Sequence, residues 1–231
     1  MKPNARILGL LFVALAVLET VTLSLGVESI HPWIKPLLIP SLAAAALCAL
    51  LPEHKGRQTV LLAAGMALHT TGDVLLMFDS RGFAFFAAGL GAFLLGHFCY
   101  LFVMLHKMGR LRGFNEIYIW WVPLLIVYPI ISFFEVEGTL RIVLAVYTYT
   151  LLFYIATGVL WLLRGRKLGW RVIAGGLSFI ASDAILALSA FNGVDFPLRH
   201  AAVMGTYLLA EWLLVSAMVR HRQTSEEASA K

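Results

Sequence analysis

The stretch Gly65-Met66-Ala67-Leu68-His69-Thr70-Thr71-Gly72-Asp73-Val74-Leu75-Leu76 decides how this chain folds. It is apolar enough to lie in a bilayer, yet it carries an aspartate. A charged side chain at membrane depth costs about 2.5–3.5 kcal/mol on insertion scales, so such a residue faces a bundle interior or a wet cavity and has a task. Gly65, His69, Gly72, Asp73 and Leu76 fall on one face of a helix at i, i+4, i+7, i+8 spacing. Small residues on that face let a second helix come close, and the polar ones point the same way. Ser182-Asp183-Ala184-Ile185-Leu186 repeats the setting, its aspartate 110 positions after Asp73.

Working outward, the whole chain matches this reading. It is 60% hydrophobic and 13% charged over 231 residues, whereas soluble domains run near 45–50% and 25%. This is the composition of a polytopic membrane protein. A spanning helix needs about 20 apolar residues, and eight stretches qualify: 6–26, 34–51, 58–78, 83–105, 117–134, 139–163, 170–191 and 199–219. The expected fold is all-α, a single transmembrane domain of eight helices over 1–220, with 221–231 a disordered polar tail. Pro36 and Pro40 bend the entry to the second helix, and Pro123 and Pro129 kink the short fifth one. The first run follows Lys2 and Arg6 but carries Glu19 and is long for a signal peptide, so it reads as a retained helix.

Charge sets the orientation. Lys2, Arg6, Lys55, Arg57, Lys107, Arg110, Arg112, Arg164, Arg166, Lys167, Arg171, Arg220, Arg222 and Lys231 fall on one side of an eight-helix alternation. Only Lys35, Arg81, Arg141 and Arg199 fall on the other. The positive-inside rule then places both termini in the cytoplasm, and the expected location is a bacterial inner (plasma) membrane. A net charge of +5 in short loops reports topology and not nucleic acid. Cys48 and Cys99 sit in apolar runs without metal-type spacing, so neither a disulfide framework nor a metal is expected. The motifs for a nucleotide, a flavin or a zinc hydrolase are absent, and no cofactor is expected.

Polar residues recur at helical spacing on five helices. Besides the Asp73 face, there are Gly89, Phe93, Gly96, His97, Tyr100 and Met104; Tyr147, Thr150, Tyr154, Thr157 and Trp161; Gly175, Ser178, Ser182 and Ser189 beside Asp183; and Tyr207 with Glu211. Together they describe a polar cavity walled by helices. At 1.5 Å per residue, both aspartates lie about 8–12 Å from the outer ends of their helices. Glu19 lies near the outer end of the first helix, within reach of water. The chain divides into two four-helix halves, helix 3 matching helix 7 and helix 4 matching helix 8. An even number per half implies a parallel repeat.

These residues resemble the YhhN-type membrane proteins, the lysoplasmalogenase family. The resemblance rests on Gly72-Asp73-x-x-Leu76, on Gly89…Phe93…His97-x-x-Tyr100, on Ser182-Asp183-x-x-Leu186-Ala187, and on Tyr207-x-x-Ala210. It departs from the family at Glu211, where an amide is usual. The resemblance implies hydrolysis of the vinyl ether bond of a lysoplasmalogen, or of a related lysolipid, to a fatty aldehyde and a glycerophospho-head group. It also implies that Asp73 and Asp183 are the catalytic pair. His97, Tyr100, Tyr207, Glu211, His69, Tyr154 and Ser182 would then bind the head group or position water. The partners are a lysophospholipid substrate and membrane lipid. A carboxylate pair suits this chemistry as it suits glycosidases, which places the two carboxyls within about 10 Å of each other in one cavity. Buried acids and a two-half repeat also suit a small proton-coupled transporter, or a lipid-binding membrane protein without turnover.

Overall fold

The computed structural model describes residues 2–106, 114–134 and 136–227. Lys107, Arg110, Arg112 and Lys231 of the charge pattern lie outside the described residues. The described chain is all-helical: α1 Pro3–Ser24, α2 His31–Leu50, α3 Arg57–Leu76, α4 Phe83–Leu105, α5 Phe114–Ile131, α6 Gly138–Leu163, α7 Gly169–Asn192 and α8 Arg199–Glu227. Seven of these are long and apolar enough to cross a membrane; α5 contributes a shorter apolar stretch, Tyr118–Ile131. The fifth expected span is thus the weakest by length, and it holds both Pro123 and Pro129 inside the helix.

The chain forms two compact units. One contains residues 1–107 and 218–231, the other 108–217. Each therefore holds four helices, and α8 starts in the second unit and finishes in the first.

In the first unit, α3 and α4 run antiparallel with glycines at the crossing. A methyl group on Gly96 would lie 3.0 Å from the Gly65 carbonyl, and one on Gly89 would lie 3.3 Å from that of Gly72. Between these contacts the rings of Tyr100 and Phe93 lie directly over Gly65 and Gly72. Small residues thus buy close approach where lipid offers no hydrophobic drive for helix association. The Lys2 ammonium pairs with the Glu53 carboxylate at 2.5 Å and also donates to the Leu51 carbonyl, tying the start of α1 to the α2–α3 connection. The hydrogen bond from Lys2 to the Glu53 carboxylate, first of all, holds that carboxyl below its ordinary range.

In the second unit, Gly158, Gly169 and Gly176 serve α6 and α7 as the α3–α4 glycines serve the first. A methyl on Gly158 would sit 2.7 Å from the Gly169 carbonyl. Val127, Ile131, Val136, Leu144 and Leu152 form an apolar core joining α5 and α6. Arg164 grips Glu116 with two parallel hydrogen bonds, 3.1 Å and 2.7 Å, linking the end of α6 to the first turn of α5. α7 ends on Gly193 in the left-handed conformation, the usual chemistry for stopping a helix.

The expected repeat is visible in the contacts within each unit. Gly72 packs on Phe93; 110 positions on, the Ser182 hydroxyl donates to the Val203 carbonyl at 3.0 Å. His69 meets His97, and Phe179 meets Tyr207. Gly65 packs on Tyr100, and Gly175 lies against Ala210. The α3–α4 register thus recurs in α7–α8.

One boundary differs from the sequence reading. Residues 221–227 continue α8 as helix and are not a disordered tail. Two of their polar side chains are tied down: His221 Nε2 donates to the His106 carbonyl at 3.3 Å, and the Gln223 amide donates to the Ala49 carbonyl at 3.2 Å.

Candidate functional site

Asp73 belongs to the first unit and Asp183 to the second, so each is built up within its own unit. Asp73 is 3% exposed on α3. Because α3 stops at Leu76, the residue lies about 5 Å from its helix end, nearer than expected. Facing it, 3.8 Å from Oδ1, is the ammonium of Lys35 on α2. The sequence reading assigned Lys35 to an outer loop. The structure corrects this, because α2 begins at His31 and carries Lys35 into its second turn, where it is buried.

One turn below Asp73 stands His69, fully buried. Its ring lies 4.7 Å from the ring of His97, edge to face, 4.7 Å from Tyr100 and 5.4 Å from Phe93. Four of the expected site residues, Asp73, His69, His97 and Tyr100, thus share the α3–α4 seam. The glycines explain why: Gly65, Gly72 and Gly96 leave room for these rings between two backbones.

Glu19 is also corrected. It does not reach water; it is fully buried on α1, and its Oε1 accepts a hydrogen bond from His31 Nδ1 at the start of α2.

In the second unit, the Tyr147 hydroxyl donates to the Asp183 carboxylate, and Tyr154 and Glu211 lie close enough to act on Tyr147 electrostatically. Tyr147, Tyr154 and Glu211 are buried. Asp183 lies about 14 Å from the end of α7 at Asn192. Tyr207 packs its ring on Phe179 at 5.7 Å, and Ser182 commits its hydroxyl to Val203. Asp183, Tyr154 and Glu211 are therefore brought together, while Ser182 and Tyr207 hold the α7–α8 seam. Thr150 and Thr157 of the α6 stripe turn back onto their own helix, donating to the Val146 and Phe153 carbonyls.

Sequence reasoning missed two partners. Lys35 had a readable signal, an opposite charge near the same helix ends as Asp73. Tyr147 stood on the α6 stripe, one repeat before Tyr154, but nothing along the chain links it to Asp183.

The YhhN family model matches residues 30–218, more than half of the chain. The chain belongs to the YhhN family. Lys35, Asp73, Tyr147, Asp183 and Glu211 all fall inside the matched residues, and Glu19 precedes them. Membership in the YhhN family suggests lysoplasmalogenase-type chemistry and is compatible with a membrane hydrolase. No curated protein and no solved structure matches the chain.

Proposed function

We propose that this YhhN family member hydrolyses the vinyl ether bond of a lysoplasmalogen or a closely related lysolipid. Its partner is the lysophospholipid, drawn from a bacterial inner membrane that the chain crosses with both termini in the cytoplasm. The observation that carries the reading is a carboxylate shielded inside each unit, on a chain of this family, each held by a donor: Lys35 for the buried Asp73, and Tyr147 for Asp183, which is half-buried with its Oδ2 out of contact with solvent.

The chemistry needs little else. A carboxylic acid of the pair donates a proton to the β-carbon of the vinyl ether, and the α-carbon becomes an oxocarbenium ion. The partner carboxylate stabilises that cation and takes a proton from water as the water adds. The hemiacetal then breaks its C–O bond, releasing a fatty aldehyde and a free glycerol hydroxyl on the head-group fragment. This is the division of labour of the glycosidase carboxylate pair. His97, Tyr100, Tyr207 and Glu211 supply donors and acceptors for water and the glycerol end.

The test is aldehyde release from a lysoplasmalogen by the purified chain. Asp73→Asn and Asp183→Asn are each expected to lower the rate by about 10²–10⁴-fold, the range for losing a general acid or base. Full activity in both variants would sink the mechanism. Proton-driven flux in proteoliposomes without aldehyde release would favour a carrier.

A further inference from the structure

The end of the first unit where α1 and α3 finish and α2 begins holds four ionisable groups: Glu19 on α1, His31 and Lys35 on α2, and Asp73 on α3. His31 and Lys35 are one turn apart on a single face of α2. The cluster lies within about 8 Å of its helix ends, the depth of the head-group boundary. Its two sides differ in exposure: Glu19 is completely buried, whereas the side chain of His31, which covers it, is 25% exposed.

Glu19 is the telling residue. One oxygen accepts from His31, and Oε2 has no hydrogen-bond partner among the described residues. A buried carboxylate oxygen without a donor is costly to maintain unless something supplies that donor. An ammonium carries three N–H donors, so Asp73 does not exhaust Lys35.

A cation and an acceptor at one site match a ligand bearing both signs. We propose that this cluster binds the head group of a lysophospholipid that ends in a primary ammonium, an ethanolamine-type head group. Lys35 donates to the phosphate, and Glu19 Oε2 accepts from the ammonium as the His31 ring turns aside. A trimethylammonium has no N–H and leaves Oε2 unsatisfied, so choline is the poorer fit. Phosphate alone engages only Lys35. The assignment rests on the lysolipid reading above and names the head group within it. It also sets the vinyl ether of the bound lipid beside Asp73, the carboxylate that Lys35 touches.

Binding of ester lysolipids tests this without hydrolysis, because an ester-linked chain has no vinyl ether to cleave. Lysophosphatidylethanolamine, lysophosphatidylcholine and lysophosphatidic acid of one chain length are titrated into the full chain in maltoside micelles by calorimetry. The wild type should bind the ethanolamine lipid about tenfold more tightly than the choline lipid, the scale of one charge-assisted hydrogen bond. Glu19→Gln should erase that preference by weakening the ethanolamine lipid alone. Lys35→Gln should weaken all three. Equal wild-type affinity for the ethanolamine and choline lipids overturns the proposal whatever the variants do. So does a Glu19→Gln loss shared by all three lipids, or unchanged lysophosphatidic-acid binding in Lys35→Gln. None of these outcomes bears on aldehyde release, so the head-group assignment and the hydrolase reading fail separately.

Discussion

Lys35 and Asp73 illustrate what a pair of opposite charges does inside an apolar bundle. Both are almost fully buried, so removing one partner leaves the other uncompensated, at about 3–5 kcal/mol. Lys35→Met should therefore lower the thermal unfolding midpoint of the detergent-solubilised protein sharply. Adding Asp73→Asn to Lys35→Met should recover most of the loss, since the stranded charge goes too. Additive losses in the double variant would mean the two groups do not interact. Asp73 was legible in the sequence because a carboxylate in an apolar run is rare and costly. Lys35 left a weaker signal, an opposite charge near the same helix ends, and counting charges hands every lysine near a helix end to a loop. The rotational phase of a helix start decides whether such a side chain faces water or a neighbour. Glu19 was misread in the same way.

Helix faces were legible because apolar and small residues recur at a fixed period; helix ends were less so. The α3–α4 seam depends on glycine at the crossing. A methyl on Gly96 would collide with the buried His69 ring and press on the Gly65 carbonyl. Gly96→Ala should cost about 1–3 kcal/mol of stability, as overpacking does elsewhere, and should move His69 under Asp73. Thermal unfolding and aldehyde release should fall together. In the matching α7–α8 seam, Ser182→Ala removes one hydrogen bond to the Val203 carbonyl, which still accepts from the Thr206 hydroxyl, about 1 kcal/mol. The smaller loss follows from deleting a partner where the glycine variant inserts an atom into filled space. That these seams are equivalent was visible in sequence through the two aspartate settings and a looser match of helix 4 with helix 8. The intervening positions pair glycine with serine and histidine with phenylalanine, substitutions that preserve a contact and erase the similarity.

At the scale of the molecule, the apolar runs gave the membrane and the eight helices, of which seven are long and apolar enough to cross it. The pairing of the two aspartate settings gave the two halves. The late course of α8 was hidden, because residues 221–227 are polar and polar residues after a span read as tail. Their donors instead find the carbonyls of Ala49 and His106. Deleting residues 218–231 should destabilise the first unit by about 2 kcal/mol through these two hydrogen bonds alone, at about 1 kcal/mol each, and by more through the loss of buried Met218. Limited proteolysis should then cut within residues 51–56, next to Ala49, before it cuts the second unit.

Because the last turns of α8 belong with α1–α4, the order of synthesis and the order of completion differ. The ribosome makes the first four helices early, but they lack a piece of their own unit until the C-terminal residues emerge. The second unit, contiguous in sequence, is finished first. Nascent chains arrested before residue 218 should therefore carry a protected second half and a protease-sensitive first one, the reverse of N-to-C maturation.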